Sequence, residues 1–159
     1  MHSAASSSLC GAGPVPREAL VCRVRDQEFC IDVTLVKEIR GWAPTALLPH
    51  APSYVRGVIN LRGTVLPIVD MAARLDFPET VTSRHSVVIV VWIGKKQIGL
   101  LVDAVCDIVE VEEGSLQPTP QLSNDAVQAL LLGLINAGDR VIGLLGLDQL
   151  LPEIEVGEP

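Results

Sequence analysis

One stretch of this chain is written twice. Residues 57–75, GVINLRGTVLPIVDMAARL, align without a gap to residues 133–151, GLINAGDRVIGLLGLDQLL. Both open on Gly-x-Ile-Asn, and apolar positions then match along the strand-like run that follows. A second pair, FCIDVTLVKEI (29–39) and IGLLVDAVCDI (98–108), sets Val36 against Val105, Glu38 against Asp107 and Ile39 against Ile108. Order and spacing both indicate duplication, which must be recognised before a fold is assigned. Each copy reads as a hairpin, a short irregular segment, a strand, and then strand, turn, strand and helix. Short strands remove their exposed edges by closing on themselves. The repeat therefore predicts an all-β chain with short helices, built as two similar small β-barrels with a groove at their seam.

Local patterns fill in this outline. The 159 residues are one domain's worth of chain. LVCRVRDQEFCID alternates on both sides of Asp26-Gln27 and predicts a hairpin with Leu20, Cys22, Val24, Phe29 and Ile31 on one face. VTLVKEIRG reads as a helical turn running into a strand, and the prolines of WAPTALLPHAPSY make that stretch a loop. YVRGVINLR and TVLPIVD are strands joined around Gly63, followed by a short helix, MAARL. SVVIVVWIG and KKQIGLLVDAV form a second hairpin turning near Gly94-Lys95. VQALLLGL is apolar all round and alone would suit a buried helix; the repeat argues for a strand there instead. Residues 1–18, rich in Ser, Ala, Gly and Pro, read as a flexible tail, residues 19–153 as the domain, and 154–159 as a second tail.

Several function classes are disfavoured. A formal charge of −7, with two Trp, two Phe and one Tyr, suits neither phosphate neutralisation nor base stacking, which counts against a nucleic-acid-binding barrel. The longest apolar run, 87–93, falls far short of the roughly 20 residues that cross a bilayer. The N-terminus has neither the basic nor the long apolar region of a signal peptide, and SLCG lacks the apolar stretch that precedes a lipid-attachment cysteine. Cys10, Cys22, Cys30 and Cys106 form no CxxC pair, and His2, His50 and His85 lie far apart, so metal-ligand spacing is absent and no cofactor is implied. The cysteines read as reduced thiols of a cytosolic protein. There is no GxSxG elbow. IGKKQIG lacks the first glycine of a phosphate loop and has Gln97 where Ser or Thr would hold magnesium. Asp32, Asp70, Asp103, Asp107 and Asp148 lie near strand ends, where turns and caps use them. The chain is not expected to be an enzyme.

Asn60 and Arg62 remain, polar residues inside the mostly apolar repeat. Gly63 suits a left-handed turn position, and Asn60 can tie that turn with its side chain. Asn136 occupies the equivalent place, whereas Arg62 is matched by Gly138. An arginine that the second copy does without is free to serve recognition, and the turn and recognition readings of Arg62 stand side by side.

The segment GVINLRGTVLPIVDMAARL resembles the signature of the CheW-like domain family, found in adaptors of bacterial chemotaxis. The likeness runs in order from about Leu20 to Leu151 through EFCIDVTLVKEIRG, the NLRG turn, VVIVVWIGKKQIGLLVDAVCDIVEV and the LQPTP loop. It implies two five-stranded barrels related to SH3 barrels around a hydrophobic junction. It also implies a cytoplasmic, non-enzymatic scaffold coupling transmembrane chemoreceptors, the methyl-accepting chemotaxis proteins, to the CheA histidine kinase. The family binds the helical receptor tip in the groove between barrels and the like-folded regulatory domain of the kinase barrel to barrel. By position, Val36, Gly57, Arg62, Val87, Val105 and Ile108 match receptor contacts. Val33 and Glu38 match a kinase contact, and Gln117 and Leu122 match a second one that closes rings of adaptor and kinase; the LQPTPQL loop equally suits a simple connector. A monomer in isolation, a ring member in arrays and no membrane insertion are expected. Ala72, Ala73 and Gly146 depart from the family's usual polar residues, which leaves a pilus-linked or other chemosensory array as an alternative output.

Overall fold

Alternating apolar residues make the hairpins, and capping carboxylates end them. The computed structural model describes residues 15–42, 44–47, 50–77, 86–122 and 124–150. His2, Cys10, His85, residues 1–14 of the expected N-terminal tail and the whole segment 151–159 lie outside the described residues. Strands β1 (Glu18–Val24) and β2 (Gln27–Asp32) form the first hairpin. Val15 already packs on the core of this sheet. A 3-10 turn (Val33–Leu35), capped by the Asp32 carboxylate at 3.0 Å from the Thr34 N–H, leads into β3 (Val36–Gly41). Strands β4 (Val55–Leu61) and β5 (Thr64–Asp70) follow, and Asp70 caps the short helix α1 (Met71–Arg74). Strands β6 (Val87–Ile93), β7 (Lys96–Val102), β8 (Ala104–Glu110) and the two-residue β9 (Leu116–Gln117) come next. Helix α2 (Asp125–Leu130), capped by Asn124, then precedes β10 (Leu131–Ala137), β11 (Arg140–Leu145) and a final 3-10 turn (Leu147–Gln149).

The strands assemble into two sheets, ordered β8-β1-β2-β11-β10-β9 and β3-β6-β7-β5-β4. The repeat is reproduced in the pairing register. Cys30 of β2 lies parallel to Leu144 of β11, and its counterpart Gly99 of β7 lies parallel to Ile68 of β5. Bulges fall at equivalent places too, between Val55 and Gly57 and between Leu131 and Gly133. The two copies are nevertheless interleaved. In each sheet the hairpin comes from one copy and the remaining strands from the other, so a sheet is not one half of the sequence.

Among the described residues three apolar cores result. Ala19, Val21, Ile135, Ile142 and Leu144 fill the first sheet's own interior. Their repeat counterparts in the second sheet include Val88, Val90, Ile59, Leu66 and Ile68. The opposite faces, with Leu20, Cys22, Val24, Phe29 and Ile31 meeting Ile89, Val91, Ile98 and Leu100, form the central junction. Burying a side chain of this size is worth about 1.5–3 kcal/mol, so the junction holds the two sheets together.

The structure corrects four local expectations. The first sheet has a sixth strand, because Leu116 and Gln117 of the expected loop pair with Ile135 and Leu134. The first hairpin turns on Arg25-Asp26, one residue early: Arg25 adopts a left-handed φ of 60° and its N–H donates to Asp103 at 2.7 Å. A partner 78 residues away leaves no mark on local alternation. Strand β7 ends at Val102, where the chain bends at Asp103. The apolar block 127–134 divides, its first four residues helical and the rest strand.

Candidate functional site

Strands β3 and β8 are edge strands, one in each sheet, and the duplication makes them equivalent. On β3, Val36 pairs with Val91 and is half-buried against the central junction. On β8, Val105 pairs with Cys22 and packs on the same junction. Val87, at the start of β6, joins them there, half-buried. Three of the six residues matched to receptor contacts thus border one apolar cluster. Ile39 and Ile108, the next equivalents along the two strands, are 48% and 53% exposed. An isoleucine that exposed gains little from folding and is available to a partner.

Beside each isoleucine stands a carboxylate. Glu38 accepts from the Arg62 guanidinium, from Lys37 Nζ at 3.4 Å, and lies 3.8 Å from Arg40 Nη1. The hydrogen bond from Arg62 is the main cause that holds the Glu38 carboxyl below its ordinary 4.5. Arg62 occupies a left-handed turn position (φ 52°), where a residue with a Cβ is disfavoured and where the second copy has Gly138 (φ 65°). Gly63 follows at φ 85°, and its N–H donates to the Asn60 side chain at 3.0 Å, as the turn reading requires. Both readings of Arg62 therefore meet: it sits in the turn, and its head group leaves the turn to reach β3.

The second copy solves the same problem from another position. Asp107, the counterpart of Glu38, accepts from Arg140 Nη1 and Nη2, both at 3.1 Å. Arg140 also donates from Nε and Nη2 to Glu28 at 3.0 and 3.3 Å. These bonds pull the Asp107 carboxyl below its ordinary range and hold the guanidinium proton more tightly than usual. Sequence comparison missed Arg140 because it stands opposite Thr64, two places after the glycine that replaces Arg62; its lone position beside the second turn was the available signal.

The other expected residues divide. Gly57 is buried, at φ 149°, and a Cβ there would come within 2.3 Å of the Ala46 carbonyl oxygen, so it shapes the site without lining a surface. Val33 lies half-buried in the 3-10 turn just before β3, close in the chain to Glu38. Gln117 is exposed on β9, away from these edge strands. Leu122 lines a depression of about 520 Å³ together with Phe29, Val127, Leu131 and Leu134. The Leu122 N–H donates to the Gln128 side chain at 2.6 Å.

Two of the described thiols are buried, and one, Cys106, is exposed on β8. Burial pushes the Cys22 and Cys30 thiols up to about 12, so neither is a nucleophile near neutral pH. Among the described residues no group of three or more His, Cys, Asp or Glu is placed to hold a metal ion. What the site offers is apolar edges, exposed isoleucines and paired charges, which is the equipment of a binding protein.

Comparison with known proteins agrees. Residues 18–155 match the CheW-like domain model. The chain is 48% identical to a probable chemotaxis protein CheW of Rhizobium etli, over 87% of this chain and 90% of that one. It is 46% identical to a chemotaxis protein CheW of Rhizobium meliloti, again over 87% and 90%. The crystal structure of the scaffolding protein TtCheW from Thermoanaerobacter tengcongensis superposes with a TM-score of 0.80 at 27% identity, covering 89% of this chain and 95% of that one. The chain belongs to the CheW-like domain family. It is a chemotaxis scaffold that couples receptors to the CheA histidine kinase, and it is not an enzyme.

Proposed function

We propose that the coupling runs through a receptor face and two kinase-docking sites, the first of which adjoins the receptor face at the Arg62–Glu38 pair. The cytoplasmic helical tip of a chemoreceptor lies along the margin of the central junction, against Val36, Val87, Val105 and Ile108, with Arg62 meeting a polar or acidic group on it. The regulatory domain of a CheA-type kinase docks at Val33 and Glu38, and a second kinase domain docks at Gln117 and Leu122, closing a ring. The observation that carries this reading is the placement of Val36 and Val105, repeat equivalents, on one apolar cluster between two edge strands. A helix laid across that margin finds apolar anchors on both sides, the helix-in-groove mode. Each contact alone is small, and the array supplies avidity. The protein works as a monomer joined to cytoplasmic receptor arrays. Among the described residues no helix is long and apolar enough to cross a membrane.

Calorimetric titration with the kinase regulatory domain, then with a receptor signalling-tip fragment, tests this directly. Ile108→Asp, at an exposed site, is expected to abolish receptor binding and leave kinase binding intact. Val33→Arg, which leaves the Arg62–Glu38 pair in place, is expected to weaken kinase binding and spare receptor binding. Loss of neither interaction in either variant rejects the assignment of faces.

A further inference from the structure

Arg140 has no role in the resemblance that identifies this family, and its position in the alignment conceals what it does. Strand β8 is held on one side by β1 and, among the described residues, has no strand on the other. Its pairing with β1 is itself irregular, shifting register between Val21 and Cys22, beside Val105. A strand paired along one side only, with a bulge beside its receptor-matched residue, leaves room for a further restraint from a side chain. Arg140 supplies that restraint: from β11 it grips Asp107, between Val105 and Ile108, and braces against Glu28 on β2. One guanidinium thereby links three strands of the first sheet. In the second sheet Arg62 makes the equivalent tie to Glu38, with Thr64 at the place of Arg140 and Gln97 at the place of Glu28. The two copies have kept the restraint while exchanging the residue that makes it.

We infer that Arg140 is a positioning residue for receptor binding, fixing β8 so that Val105 and Ile108 meet the receptor tip in register. The guanidinium acts through Asp107 and needs no receptor contact of its own. This rests on the receptor face proposed above. Bidentate geometry is central, because a guanidinium fork can hold two carboxylates in fixed planes whereas an ammonium cannot.

The test uses Arg140→Gln, Arg140→Lys and Asp107→Asn in the full chain, titrated separately with the receptor signalling-tip fragment and with the kinase regulatory domain. Receptor affinity is expected to fall roughly three- to tenfold in Arg140→Gln and Asp107→Asn, the scale of indirect coupling. Arg140→Lys should recover only part of the loss; because Arg140 lines the depression that Leu122 borders, the kinase control is read in Asp107→Asn, where kinase affinity should stay unchanged. Hydrogen exchange should quicken at the β8 amides in the same variants. Asp107 is exposed, so its substitution keeps the question open to test if Arg140→Gln fails to fold. Unchanged receptor affinity in Asp107→Asn overturns the inference, as does an equal loss for receptor and kinase in that variant. Ile108→Asp, run in parallel, separates the two levels: if it binds receptor normally, the receptor face itself is misassigned and the inference falls with it. If it abolishes binding while Arg140→Gln and Asp107→Asn do not weaken it, only the positioning role is wrong.

Discussion

Arg62 and Glu38 form an ion pair that ties the β4–β5 turn to β3, at the opposite edge of the same sheet. Family resemblance gives these residues to different partners, the receptor and the kinase. In the folded protein they are bonded to each other, so a substitution at either one alters the surroundings of the other. Double-mutant analysis is the proper tool for such a pair.

The left-handed backbone at Arg62 separates its two roles. Glycine relieves the local strain and alanine does not, so Arg62→Gly is expected to be more stable than Arg62→Ala by about 1 kcal/mol. Both should weaken receptor binding, since both remove the guanidinium. Equal melting of the two variants would mean that the turn is unstrained.

Acid should loosen the sheet edges. The carboxyls of Glu38 and Asp107 have lowered pKa values, through hydrogen bonds from Arg62 and Arg140 respectively. A lowered folded-state pKa contributes stability that is present above the ordinary carboxylate range and is lost as pH falls through the folded value. Urea midpoints measured from neutral pH down through 4.5 and below should therefore fall more steeply in wild type than in Glu38→Gln. Asp107 is exposed and Glu38 half-buried, both within reach of solvent ions, and added salt should shrink the difference.

Gly57 and Gly133 are equivalent positions where the backbone of a neighbouring segment comes close. Cβ atoms there would approach the Ala46 and Gln117 carbonyl oxygens at 2.3 and 2.6 Å. Gly57→Ala adds a disfavoured φ to the collision and is expected to cost more than about 2 kcal/mol in chemical denaturation; Gly133→Ala should cost less. The reverse order would show that the β9 segment is the less yielding of the two neighbours.

Thiol labelling should sort the described cysteines by burial. Cys106 is exposed, whereas Cys22 and Cys30 are buried with pKa values raised to about 12. In the native protein at mildly alkaline pH, peptide mapping should find Cys106 alkylated well before the other two, which react only on unfolding. Early modification of Cys22 would place it outside the central junction.

Much of this was readable in advance, for a physical reason. Strand periodicity is local, and so the hairpins, the Asn60 turn and the Val36–Val105 equivalence followed from short stretches of sequence. Interleaving was not readable, because the same alternation lets β2 pair with either copy's β5-like strand; the choice is made by packing at the junction. The Arg140 restraint was hidden for a related reason. Its function was conserved between copies in space, at Asp107 and Glu38, while its place in the alignment moved by two residues. The receptor-matched residues also proved unlike one another: Ile108 is surface, Val36 and Val105 are margin, and Gly57 is interior.

The sheet orders carry a consequence for how the chain is made. The second sheet is continuous in sequence, from Val36 to Val102, while the first is begun by β1 and β2 and resumed only at Ala104. During synthesis the opening hairpin leaves the ribosome before any of its neighbours exist. The inserted sheet can close from local material, and contacts between near neighbours form soonest because they order the least chain. Within their own sheet, β1 and β2 are thus made first and enclosed last. They wait, edges bare, until β11 arrives between Arg140 and Leu145 to complete the barrel they started.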